Sequence, residues 1–451
     1  MNENHTHNAI NRRQFVSRIG VGAAALGFAA HASAVETSKN GDYQCHWYPF
    51  TEHPDSDSCW SLSVGPDGRI YAAACCEGHP GGIVKVVRYN ENEDKLDYLF
   101  NLDEMVDDPH DSGRGTQCKI HYSFAPSMQD GVMYMATHLS GPPHDLKAYS
   151  PWFFWHAPER CFRGSALLAY DTKRDEVLWW ETMLPKEGCR CLLHDEERGL
   201  LYSLTYPRDR FVIFDIKKRE RREIGRIGSV NAQCLFMDKK HRIWTTSDYG
   251  RLIRYDPEKD RLETSPYTLP HNSNFQTGWH SVFYDAVASP DGECIYAVTW
   301  IAQPYLMRIW PNEGEWGRVE DLGPATQERD STLPMDTFTD HCGGLTFAGD
   351  GQLYYVAARW RDPIYNPSPE SHKEREGVVW RLNPVTLERE EVALLERPDG
   401  FAQYVSRGAV DHHGDLFFGH VGHPHPVGIF KVTLPKNRKH ENAHLPIRMW
   451  G

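Results

Sequence analysis

His121, His138 and Tyr206 are the residues of this chain best suited to moving protons. His121 stands in Gln117-Cys-Lys-Ile-His121-Tyr, and His138 ends Met133-Tyr-Met-Ala-Thr-His138. Imidazole titrates near neutral pH, so such a pair can take up and return a proton under mild conditions. Tyr206, in Leu204-Thr-Tyr206-Pro-Arg208-Asp-Arg210, can share a proton with a leaving oxygen when cations lie close. Arginines are abundant there: Arg163, Arg190, Arg208, Arg210 and Arg226. A guanidinium grips a carboxylate through two parallel hydrogen bonds, so the group points to an acidic ligand. A second set, Cys234, His280, His341 and Cys342, has the nitrogen and sulfur donors of a tetrahedral zinc site, although no closely spaced ligand pair marks it. The run His420-Val-Gly-His423-Pro-His425 is an alternative metal set or a surface loop. No G-x-G-x-x-G, Walker-type or G-x-S-x-G run signals a nucleotide or a serine nucleophile.

These residues are far apart in sequence, so a repeated scaffold must bring them together. Seven times the chain writes a short apolar strand, a turn rich in Pro, Asp, Gly, Lys or Arg, and a second strand of Tyr, Val and Ala. The clearest copies start at Ser61, Val282 and Gly343; looser ones run over 118–138, 189–206, 230–246 and 407–420. Copies recur roughly every 40 to 70 residues, the period of propeller blades. A third strand ending in a Tyr-Asp or Leu-Asn type turn follows most of them. The count predicts an all-β, seven-bladed β-propeller. In that fold the inner strands line a central channel and the second strands end at one mouth. His138, Tyr206, Asp248, Trp300, Trp360 and His420 occupy the matching turn in successive copies. Aromatic faces and a few placed polar groups around one mouth suit a long sugar chain. Trp300, Trp360 and His420, with Arg163, Arg208 and Arg210, are therefore the expected substrate-binding residues.

The 451 residues carry a net charge of −13, with no basic footprint for nucleic acid. Residues 1–34 read as an export signal: a twin arginine in Asn11-Arg-Arg-Gln-Phe, an apolar run from Ile19 to Ala30, and the small-residue site Ala32-Ser-Ala34. The run is too short to span a bilayer, so no membrane span is expected. The mature part, 35–451, reads as one propeller, with residues up to about 40 outside the ring and the protein periplasmic or secreted. The eleven cysteines are odd in number and irregularly spaced, unlike a disulfide framework. Small buried residues on crowded inner strands account for most of them.

The stretches Lys119-Ile-His121, Ala136-Thr-His138, Phe162-Arg-Gly-Ser, Ala169-Tyr-Asp, Leu201-Tyr-Ser-Leu-Thr-Tyr206-Pro and Ile224-Gly-Arg226-Ile resemble the seven-bladed propeller polysaccharide lyases, the ulvan lyases in particular. The resemblance spans roughly residues 42 to 435, with its specific motifs in the second and third copies. It implies β-elimination on a uronate-containing polysaccharide. His121, His138 and Tyr206 would transfer protons, an arginine would neutralise the carboxylate, and zinc held by His and Cys would support the fold. Arg226 and Arg208 both fit the arginine's place. Two other classes remain open from sequence. One is a metal-dependent propeller hydrolase or lactonase, favoured if Asp248, Asp285 and Asp340 gathered around one ion. The other is a non-catalytic glycan-binding propeller, although the Trp-Asp signature of WD repeats is missing.

Overall fold

The computed structural model describes residues 35–40, 42–138, 140–145, 157–228, 232–247, 250–270, 282–300, 304–325, 342–360, 375–402, 404–422 and 425–439. Within them the strands form seven antiparallel blades, six of them laid out from the channel outward in chain order. Blade one comprises Leu62–Val64, Ile70–Ala74, Lys85–Asn90 and Lys95–Asn101. Blade two comprises Ile120–Ser127, Val132–Thr137, Gly164–Asp171 and Glu176–Pro185. Blade three comprises Gly188–Asp195, Leu200–Tyr206, Arg210–Asp215 and Glu220–Arg226. Blades four, five and six begin with Phe236–Met237, Val282–Ala288 and Cys342–Phe347. Blade seven joins Val405–Val410, Leu416–His420 and Gly428–Thr433 to two strands from the other end of the chain, Tyr43–Pro49 and Val35–Asn40. The sheet thus starts at Val35 rather than near residue 40, and this blade has five strands where the other six have four.

The repeat has a physical cause. Gly68, Gly292 and Gly351 take φ of 77°, 71° and 71° in the turn after the inner strand, a left-handed conformation that glycine adopts without strain. In blades one and six the turn aspartate also accepts a hydrogen bond from a second-strand tyrosine: Tyr71 to Asp67 and Tyr354 to Asp350, both 2.9 Å. Burial falls from the channel outward. Val132–Thr137 is buried throughout, whereas Glu220–Arg226 is largely exposed. Facing blades thereby bury both sides of their middle strands, while outer strands can carry charge.

Inner strands do not run as regular ladders. One residue more on the inner strand than on its partner separates Cys189 from Cys191 and Phe283 from Asp285. Similar shifts lie between Gly343 and Thr346 and between Val405 and Gly408, and a larger one separates Ile120 from Phe124. Such bulges release side chains from the pleat and re-aim them. Here they fill the channel: Tyr122, Tyr284 and Tyr404 meet, Tyr284 bonding to Tyr404 through their hydroxyls, and Arg407 lies 4.1 Å over the Tyr122 ring. Arg407 also pairs with the buried Asp285. Beyond this plug a cavity of about 380 Å³ follows the later halves of the inner strands, past Phe124, Leu192 and Leu345. All eleven cysteines are buried and free of disulfides, as their spacing suggests. No helix among the described residues is long and apolar enough to cross a membrane.

Candidate functional site

The bulges in blades two and three build the site. Arg190 is the extra residue between Cys189 and Cys191, so its carbonyl is released from the ladder. That carbonyl accepts a 2.7 Å hydrogen bond from His121 Nδ1, itself in the irregular stretch between Ile120 and Phe124. A carbonyl can only accept, so the proton sits on Nδ1 and the lone pair of a neutral His121 on Nε2. His138 follows the second strand of blade two, where its N–H donates to the Lys119 carbonyl at 2.8 Å. Tyr206 ends the second strand of blade three.

Side chains from three blades then form one stack. The centroid of Trp60 lies 5.0 Å from that of His121, His121 lies 4.9 Å from His138, and His138 lies 5.0 Å from Tyr206 at 28° between planes. Cations flank it at both ends. Lys119 Nζ is 4.1 Å from the Trp60 ring, and the Arg190 guanidinium is 4.7 Å from the Tyr206 ring. Lys119 is matched by Glu77 at 3.0 Å. Arg190 is buried, makes no ion pair within 4 Å among the described residues, and its Nε has no hydrogen-bond partner there. Burial pulls its pKa down, opposed by the nearby Asp209 and Tyr206.

His121 and His138 are 3% and 4% exposed. Burial holds both imidazoles well below their ordinary pKa. His138 is pushed down further by His121, Lys119 and Arg190, and His121 by Lys119 and Arg190. Both are therefore neutral at pH 7. Neither ring nitrogen of His138 has a hydrogen-bond partner. An unmet buried polar group costs on the order of 1–3 kcal/mol, and a site that keeps one is a place to look for a ligand.

The other expected residues divide. Arg208 and Arg210 both reach the buried Glu187, at 2.5 and 3.2 Å, and Arg210 also pairs with Glu223. Arg226 ends the outer strand of blade three, exposed, with its guanidinium on the carbonyls of Arg208 and Gly228. That places it at the periphery of the mouth. Arg163 is also exposed, bonded to the Asp107 carbonyl and 5.1 Å from the Trp180 ring. His420 is wholly buried against Trp47 and Phe430, its Nδ1 3.4 Å from Arg397, inside blade seven rather than on the rim. Trp300 and Trp360 end second strands as expected, but their side chains lie outside the described residues. Arg190 was named by sequence only within the arginine cluster at the mouth, without a catalytic or binding role of its own, and Lys119, Trp60 and Glu77 were not singled out as site residues. A charged residue amid the apolar Cys189-Arg-Cys191-Leu-Leu strand was the available signal for Arg190.

For the expected zinc site, His280 and His341 lie outside the described residues, as do Asp248 and Asp340. Cys234 and Cys342 are buried and both feel Asp285, which with burial raises their thiol pKa, that of Cys234 to about 12. Among the described residues neither belongs to a set of three donors close enough to hold one ion. Asp285 is already held by Arg407 and by the amides of Ala286 and Leu345, both 2.9 Å.

Gly188 couples the site to the scaffold. It faces Tyr206 across the ladder, and a Cβ there would overlap the His138 carbonyl oxygen. Gly188→Ala should destabilise the fold by roughly 1–3 kcal/mol, read by denaturant melting, because backbone must move to admit the methyl group.

Fold and mouth define this molecule as a seven-bladed β-propeller with a histidine–tyrosine–arginine cluster between blades two and three. No protein-family profile and no curated protein matches its sequence. Solved propellers match its shape. Virginiamycin B lyase from Staphylococcus aureus, in a catalytically inactive variant with quinupristin, matches with a TM-score of 0.53 at 11% identity, covering 87% of this chain and 100% of that one. The RRP9 WD40 repeats match with a TM-score of 0.53 at 11% identity, covering 89% and 100%. The extracellular domain of a protein described as a one-component system from B. thetaiotaomicron matches with a TM-score of 0.53 at 12% identity, covering 89% of this chain. The chain spans only 40% of that protein's length. At such identities the likeness shows the fold alone.

Proposed function

We propose that this propeller is a polysaccharide lyase that cleaves a uronate-containing, ulvan-like chain by β-elimination, and that it is exported by its twin-arginine segment. The observation that carries the reading is His138: a buried imidazole whose two nitrogens have no hydrogen-bond partner among the described residues, stacked between His121 and Tyr206, with the Arg190 guanidinium at the Tyr206 end. In the reaction a base takes the C5 proton, the electron pair forms the C4=C5 double bond, the C4–O bond breaks, and the departing oxygen takes a proton. Neutral His121, with its lone pair on Nε2, and His138 are suited to the first step, and the Tyr206 hydroxyl to the last. The C5 proton is hardly acidic until the carboxylate is neutralised, so a cation without a carboxylate of its own is required. Arg190, with Asp209 nearby but no direct ion pair among the described residues, meets that condition better than Arg208 and Arg210, which share Glu187, or Arg226, which sits on the outer strand. Zinc held by Cys234, His280, His341 and Cys342 remains part of the proposal as a support of the fold, and elemental analysis of freshly purified protein tests it.

The decisive assay incubates the mature chain with ulvan and other uronic polymers and follows ultraviolet absorbance of the unsaturated uronate. A rise with at least one polymer supports the lyase. Binding without any rise would make the protein a glycan-binding propeller, and cleavage without absorbance would make it a hydrolase.

A further inference from the structure

On the mouth opposite the stack, two turns of neighbouring blades hold a cluster that the proposed reaction does not use. Glu91 lies in the turn after Lys85–Asn90 of blade one, and His412 and His413 lie in the turn after Val405–Val410 of blade seven. Glu91 Oε2 is 3.0 Å from His412 Nε2 and 2.7 Å from His413 Nε2. The three donor atoms all lie within 4.8 Å of one another, and the two rings are 4.0 Å apart.

The tautomer of His412 makes this arrangement informative. Its Nδ1 is 3.0 Å from the Gly68 carbonyl, which can only accept, so Nδ1 carries the proton. Its Nε2 therefore faces a Glu91 carboxylate oxygen at 3.0 Å, a contact that either a proton on Nε2 or a metal ion between the two atoms must bridge. A carbonyl on the far nitrogen is also the usual orienting contact of a metal-bound histidine.

The turn that carries the pair is held independently of any ion. The Asp411 carboxylate accepts from the N–H groups of His413 and Asp415, and the His412 N–H donates to Gly68. Ligands around a tetrahedral zinc with bonds of about 2.0 Å stand about 3.3 Å apart. The two Glu91–histidine spacings are shorter than this by about 0.3 and 0.6 Å and the remaining pair of donor atoms lies within 4.8 Å, adjustments open to partly exposed side chains.

We propose that Glu91, His412 and His413 form a binding site for a divalent transition-metal ion, zinc by donor type, that ties blade seven to blade one. Water completes the coordination, since the cluster is partly exposed. The site is separate from the cysteine-containing set and from the histidine–tyrosine stack.

Equilibrium dialysis of the metal-stripped full chain against zinc chloride tests it. The wild type should bind one zinc more than the His412→Ala/His413→Ala double variant. Zinc a hundred-fold above Kd should raise the wild-type Tm by about 3–6 °C more than that of the variant. Glu91→Gln should weaken this zinc by roughly 10-fold or more while leaving the turn intact. Equal zinc stoichiometry in all three proteins, with equal Tm shifts, would overturn the site and leave a protonated histidine pair on Glu91.

Discussion

His138→Ala should lower turnover on uronic polymers by roughly 100-fold or more, with His121→Ala and Tyr206→Phe falling in the same range. His138 lies in ring contact with both His121 and Tyr206, so each variant removes a different proton carrier from one cluster. Thermal stability should change far less for His138→Ala, because the lost imidazole had no hydrogen bond to forfeit. The pH profile offers a separate check. Both imidazoles are held well below the ordinary value of 6.5, so activity should persist as pH falls past 6.5 and fail only at lower pH. The sign for stability is the same. A histidine with a depressed folded pKa adds stability above 6.5 that is lost as pH drops towards the folded value, since the unfolded chain binds the proton first. Initial rates of unsaturated product across pH 4–9, with melts at each pH, read both. A wild-type rate in all three variants would remove the proton-transfer assignment.

Arg190→Ala should cost roughly 100- to 1000-fold in kcat, the scale for losing a preorganised charge at a site of developing anion. Arg190→Lys should recover only part of that loss, because an ammonium lacks the planar fork that meets a carboxylate at two points. His121 should keep its tautomer in both variants, since it bonds to the backbone carbonyl of residue 190 and not to the side chain. Arg226→Ala, on the outer strand, should leave kcat within about 3-fold of wild type, well inside the loss expected at Arg190. If the two arginines exchange these outcomes, the carboxylate is held at the periphery and Arg190 serves the channel packing.

The blades were legible in sequence because their cause is local. A turn with an aspartate and a left-handed glycine marks the clearest copies, and in blades one and six a second-strand tyrosine reaches back to that aspartate. The mouth was legible too: His138 and Tyr206 end corresponding strands, and register alone makes them neighbours. Arg190 was harder. Strict alternation assigns it no special place, and only the extra residue between Cys189 and Cys191 frees its carbonyl for His121 and puts its guanidinium over Tyr206. Arg208 and Arg210 show the converse. Their position at the mouth was readable, but the buried Glu187 that they share comes from the preceding turn and carries no sequence signature of its role. His420 matched the turn position as well, yet Trp47, from the far end of the chain, covers it.

The composite seventh blade bears on how this chain reaches its native state. Gln44 to Pro49 pair residue by residue with Thr433 to Gly428, nearly the whole length of the polypeptide away. Closing that pairing demands the largest loop-entropy loss in the molecule, which places the chain among slow folders. Until it closes, the third strand of blade seven is an open edge, with Ile429, Phe430 and Val432 side chains that are fully buried once the ring is complete. An unpaired edge next to apolar side chains is a template for another chain. Aggregation during refolding should therefore depend on concentration and concentrate at this edge, and a peptide matching residues 43–49 should compete for it.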